Sequence, residues 1–132
     1  MVPSKPPGWS LRAALITSSP LSRSNVANAI TRDGNKAVGY STTSLTANQA
    51  CFWTTAGISN LPGMQNWYAN SAYAISADGN VIVGDRSFGG TEEAFYWTPA
   101  GQIQLVPFSI IQKSSTAQGI TGNGQIIVGT AV

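Results

Sequence analysis

Apolar and polar positions alternate in short runs along this chain, and each run is soon broken by Gly, Asn, Asp or Pro, the pattern of β-strands separated by turns. The runs recur. NAITRDGNKAVG (Asn28–Gly39), YAISADGNVIVG (Tyr73–Gly84) and QGITGNGQIIVG (Gln118–Gly129) repeat one motif, with Ile30, Ile75 and Ile120 spaced 45 residues apart and Gly39, Gly84 and Gly129 at the same interval. In each copy two β-rich runs flank Asp33-Gly34, Asp78-Gly79 or Asn123-Gly124. Glycine takes φ > 0 there without a Cβ clash, and the Asp or Asn side chain can bond the turn backbone. Each copy therefore predicts a hairpin of strands A and B.

A second pair follows. ACFWTTAGISNLP (Ala50–Pro62) matches AFYWTPAGQIQLVP (Ala94–Pro107), with Trp53 opposite Trp97 and Gly57 opposite Gly101. Period-2 geometry puts Cys51 and Trp53 on one face of strand C and Phe52 on the other. The repeated, apolar-flanked tryptophans read as sheet-to-sheet packing. Ahead of the first motif, Ala13–Ile16 falls where a D strand belongs, and Trp9-Ser10 where a C strand belongs. The expected fold is all-β: about three four-stranded antiparallel repeats of 45 residues in one domain spanning residues 1–132. The approximate units are 1–27 (C–D), 28–72, 73–117 and 118–132 (A–B). Four strands in 45 residues is the size of a β-propeller blade, so the expectation is a partial propeller, with the β-trefoil as the alternative. A unit that buries its apolar face only against neighbours predicts self-association if the blades are incomplete.

Charge changes the picture by its scarcity. Only 9% of residues are charged, the formal net charge is +2, and the seven cations are scattered, so no basic stripe points to nucleic acid. No run approaches the length of a membrane-spanning helix, and residues 1–19 do not read as a signal peptide. The single cysteine, Cys51, precludes an intrachain disulfide and reads as a small buried hydrophobe.

The candidate chemistry is sparse. The turn acids Asp33 and Asp78 supply one carboxylate per loop, far short of the six to eight oxygens calcium takes, so they read as hairpin chemistry and no metal or cofactor is expected. With no histidine in the chain, a Ser-His-Asp or Cys-His arrangement is impossible. Glu92 and Glu93 are adjacent, hence on opposite faces of a strand. The expectation is no enzyme activity and no catalytic residue. One pair breaks the repeat: Trp67 and Tyr68, in the loop between D and A, have Ser22-Arg23 and Gln112-Lys113 as equivalents. Loop aromatics of this kind are the candidate ligand-binding residues.

The segments ISADGNVIVG and EAFYWTPAG, with LPG at Leu61–Gly63 leading into SAYAISADG, resemble the bacterial HAF-type probable extracellular repeats. The resemblance runs from about Ala13 to Gly129. It implies a propeller-like repeat of exported or surface proteins and supplies no catalytic residues. The motif histidine is replaced by Gln49 and Glu93, and its phenylalanine is Cys51 in one copy and Phe95 in the other. The expected role is a non-enzymatic extracellular or cell-surface module, acting as a scaffold or as a platform for a protein or glycan partner. The alternatives are a carbohydrate-binding module using Trp67 and Tyr68, and a fragment of a propeller enzyme whose active site lies elsewhere.

Overall fold

The computed structural model describes residues 22–43, 48–62, 69–88, 90–100, 103–106 and 114–132, and within them the regular structure is entirely β. The strands are β1 (Ser22–Ile30), β2 (Ala37–Thr43), β3 (Asn48–Thr54), β4 (Gly57–Asn60), β5 (Ala69–Ile75), β6 (Ile82–Phe88), β7 (Thr91–Trp97), β8 (Ile103–Leu105), β9 (Ser115–Ile120) and β10 (Ile127–Ala131). They form antiparallel sheets in chain order: β1-β2-β3-β4, β5-β6-β7-β8 and the hairpin β9-β10. The units marked on the sequence at residues 28, 73 and 118 begin inside β1, β5 and β9. Ala13–Ile16 and Trp9 lie outside the described residues.

The A–B hairpins close by one bond network used three times. Their connections are longer than a two-residue turn. The Thr31 N–H donates to the Lys36 carbonyl (2.8 Å) and the Gly34 N–H to the Thr31 carbonyl (2.9 Å). The Thr31 hydroxyl donates to Asp33 Oδ1 (2.7 Å) while accepting from the Lys36 N–H (3.1 Å), and the Asn35 N–H caps the same carboxylate oxygen (3.0 Å). Ser76, Asp78, Gly79, Asn80 and Val81 repeat every bond, as do Thr121, Asn123, Gly124, Gln125 and Ile126. Gly34, Gly79 and Gly124 take φ of 77°, 79° and 75°, where a Cβ would be strained.

Each sheet is packed by the first strand of the next. β5 lies across β1, β2 and β3, and β9 lies across β5, β6 and β7. The first interface buries Val38, Ala50 and Leu61 against Ala72, Ile75, Ile82, Phe95 and Trp97. The second buries Val83, Ala94 and Val106 against Ala117, with Ile120 and Ile127 packed alongside. These are the same positions one repeat on. Ala37, Cys51 and Trp53 form a third cluster on the other face of the first sheet. Trp53 is 5% and Trp97 6% exposed, and Cys51 and Phe95 are fully buried on the same sides of their strands, as period-2 geometry requires.

Polar links repeat with the apolar ones. The Ala50 N–H of β3 donates to Asn70 Oδ1 of β5 (2.6 Å), and the Ala94 N–H of β7 donates to Ser115 Oγ of β9 (2.9 Å). Both acceptors are buried, so each satisfies a backbone donor that the sheet ladder leaves over. Lys36 departs from this regularity, since Val81 and Ile126 are its equivalents. Its ammonium sits 4.6 Å from the Phe52 ring centre and 5.2 Å from that of Trp97 and donates to the Gly79 carbonyl (3.4 Å), so a cation takes the place of an aliphatic contact between the first two sheets.

Candidate functional site

The recurring glycine of the motif builds the site. Pairing between β1 and β2 slips between Ala27 and Ala29, and that between β5 and β6 between Ala72 and Ala74. Between β9 and β10 the register shifts where Val128 faces Gly119 and Gly129 faces Ala117. Asn28, Tyr73 and Gln118 are thus the extra residues of three equivalent β-bulges. Opposite each bulge stands Gly39, Gly84 or Gly129, where a Cβ would collide with the carbonyl oxygen of Val26, Ser71 or Thr116. A bulge re-aims one side chain out of the alternation. Here it does so at the same place in every sheet.

The re-aimed side chains converge. Asn28, Tyr73 and Gln118 line an open cleft of about 630 Å³ together with Asp85, Glu92 and Thr116, so all three sheets contribute to its wall. The Asn28 amide donates to the Ala72 carbonyl (2.8 Å), linking β1 to β5 beside it. Asp85 pairs with Ala94 across β6 and β7, which puts Glu92 at the diagonal position on the same face. Arg86 and Glu93 take the opposite face and form an ion pair at 3.3 Å. The cleft wall is therefore acidic and hydrogen-bonding.

Asp85 is its electrostatic centre. The Tyr73 hydroxyl and the Thr116 hydroxyl each lie 3.4 Å from Asp85 Oδ2, long bonds at the edge of the useful range. Burial first, and then the Glu92 carboxylate, push Asp85 up from 3.8 to about 6, against the pull of those two hydroxyls. Burial and the Asp85 charge in turn raise the Tyr73 phenol. The turn acids behave in the opposite sense. Asp33 is lowered by the Asn35 N–H and the Thr31 hydroxyl, and Asp78 by the Ser76 hydroxyl and the Asn80 N–H. A carboxylate held by its own turn is structural, whereas one lifted toward neutral pH in a cleft is a functional candidate. Burial pushes the Cys51 thiol up to about 12, which leaves it protonated and inert.

The residues singled out on the sequence fall elsewhere. Trp67 and Tyr68 lie outside the described residues. Glu92 and Glu93 do point to opposite faces, and Glu92 finds its acidic neighbour across the hairpin in Asp85. Asp85 and Tyr73 carried a signal of their own, because each breaks the repeat: Tyr40 and Thr130 stand where Asp85 does, and Asn28 and Gln118 where Tyr73 does.

No family model matches the chain, and no curated protein matches it. Among solved structures it is similar to the crystal structure of TolB from Acinetobacter baumannii, with a TM-score of 0.64 over 86% of this chain and 13% sequence identity. The match spans 28% of the TolB chain. TolB contains a β-propeller, and at this identity the likeness concerns the fold alone.

Proposed function

We propose that this chain is a non-enzymatic repeat module of the β-propeller type, which binds a polar, donor-rich ligand in the cleft where its bulged strands meet. Three features support the propeller reading: separate four-stranded meanders, stacking through the first strand of each sheet, and the likeness to TolB. A trefoil would instead draw its repeats into one barrel. The reading as a binding platform is carried by one observation: Asn28, Tyr73 and Gln118 hold equivalent bulge positions and converge on one cleft, where a phenol stands between two carboxamides. Buried packing positions such as Ala72 and Ala117 instead keep one residue type. Placement outside the cell rests on the resemblance to HAF-type repeats.

The acidic wall selects a ligand that donates hydrogen bonds or carries positive charge, and ionised Asp85 makes that selection dependent on pH. The test is a lysine- and arginine-containing peptide array run beside a glycan array at pH 7.5. Asp85→Asn and Tyr73→Ala are each expected to weaken a hit at least about tenfold, the scale of one lost hot-spot contact. Affinity for a cationic hit should fall as pH drops through about 6. Hits unaffected by both substitutions would overturn the cleft assignment, and blank arrays would favour a scaffold without a ligand.

A further inference from the structure

The residues that line the cleft commit their own hydrogen-bond donors to one another. Asn28 spends its amide nitrogen on the Ala72 carbonyl (2.8 Å); that partner can only accept, so the side-chain oxygen is the end left to the cleft. The Tyr73 and Thr116 hydroxyls both direct their protons to Asp85 Oδ2 at 3.4 Å, which leaves the two oxygens as acceptors. Asp85 Oδ1 and the Glu92 carboxylate add further acceptors on the same face of β6 and β7. Among the described lining residues, Gln118 alone can offer either end of its carboxamide. The wall is more than acidic: it accepts almost everywhere and donates almost nowhere.

Such a wall sorts ligands by what they donate. A sugar hydroxyl donates once and also accepts, so part of each hydroxyl would go unmatched. An ammonium brings three donors to one point, whereas a guanidinium spreads five over a plane and accepts nothing. The acceptors here come from three sheets, with Asn28 on the first, Asp85 and Glu92 on the second and Thr116 on the third. Donors spread over a plane meet more of them than donors gathered at a point. The half-buried Tyr73 ring on the same wall supplies a face on which a guanidinium stacks. Calcium would draw on the same oxygens, but it gathers about six to eight of them around one centre. An open cleft of about 630 Å³ has room for a whole side chain.

We infer that the cleft takes the guanidinium of an arginine side chain presented by a peptide or protein partner, held by Asp85 and Glu92 and stacked on Tyr73. A peptide is the carrier, because free arginine would bring its own carboxylate up to an acidic wall. The inference rests on the cleft being the binding site and adds which cation it selects.

Isothermal titration calorimetry of the full chain at pH 7.5 tests it with three capped tripeptides, carrying arginine, lysine or citrulline between two glycines. Citrulline keeps the length of arginine but is neutral and exchanges a donor for an oxygen. The arginine peptide should bind with a dissociation constant below about 1 mM, the lysine peptide at least about tenfold more weakly, and the citrulline peptide without measurable heat. Glu92 is exposed, so Glu92→Gln should keep its circular dichroism. It should weaken the arginine peptide at least about tenfold, the scale of one lost charge-assisted hydrogen bond. In carboxyl-carbon NMR the arginine peptide should move the Asp85 and Glu92 signals and leave those of Asp33 and Asp78 in place. A lysine peptide that binds as tightly overturns the guanidinium assignment and leaves a cation-binding cleft standing. Equal binding of citrulline, indifference to Glu92→Gln, unmoved Asp85 and Glu92 signals, or displacement of the peptide by millimolar calcium chloride each overturns the inference. So does silence from all three peptides; the cleft reading itself falls only if array hits ignore both Asp85→Asn and Tyr73→Ala.

Discussion

Gly84 is identical in all three motifs because its α-hydrogens face a carbonyl oxygen across the bulge. Gly84→Ala forces backbone to move, and a loss of about 2–4 kcal/mol in urea unfolding is expected, the range of strain and overpacking in a core. A change under about 0.5 kcal/mol would mean that the bulge is not built as described. Phe95→Ala and Trp97→Ala remove fully or nearly fully buried rings from the first interface and should each cost about 3–5 kcal/mol. Cys51 gives a chemical check on the same packing. With its thiol pushed up to about 12, it should resist alkylation by iodoacetamide at pH 8 in the folded protein and react fully in urea. Rapid labelling without denaturant would contradict its burial.

At the scale of the element, the hydroxyl that opens each A–B turn matters as much as the Asp-Gly pair at its tip. Ser76 is fully buried and serves at once as donor to Asp78 and acceptor for the Val81 N–H. Ser76→Ala leaves that amide without its partner and should cost about 1–3 kcal/mol. Thr121→Ala breaks the same bonds in an exposed turn, where water can replace them, and should cost less. The turn oxygens are engaged by their own loops, so calcium should leave the melting temperature unchanged; a clear rise would restore the metal reading.

The strands were legible because hairpin glycines and the alternation around Trp53 and Trp97 are local signals. The cleft was not. A bulge inserts one residue and reverses the in–out alternation beyond it, so period-2 reading cannot place Asn28, Tyr73 and Gln118 without knowing where pairing slips. Asp85 and Glu92 meet only through the register of β6 against β7, which depends on the turn between them. Loss of the repeat at Tyr73 and Asp85 was visible, but its meaning required the three sheets to be stacked.

For the whole molecule, the cleft carries a cost that depends on pH. Asp85 titrates higher when folded than its ordinary value of 3.8, so the folded state holds that proton more tightly than the unfolded chain. Its contribution to stability is therefore fully present below 3.8 and is lost as pH rises through about 6. The shift corresponds to roughly 3 kcal/mol before screening, and for a half-buried group about 1–2 kcal/mol is the realistic expectation. Asp85→Asn should accordingly raise stability over wild type at pH 8, and the advantage should disappear by pH 3.5. An advantage that is instead largest in acid would contradict the sign.

That proton also offers the most direct measurement of the central claim, that three stacked sheets bring their bulges to one functional cleft. Carboxyl-carbon NMR titration of the full chain reads every acidic side chain at once. Asp85 should titrate near 6, while Asp33 and Asp78 titrate below the ordinary aspartate value in their turns. Thr116→Val removes the hydroxyl that the third sheet contributes 3.4 Å from Asp85 Oδ2, and should raise the Asp85 midpoint while leaving those of Asp33 and Asp78 in place. An Asp85 midpoint near 3.8, indifferent to Thr116→Val, would show that the sheets do not enclose a common cleft.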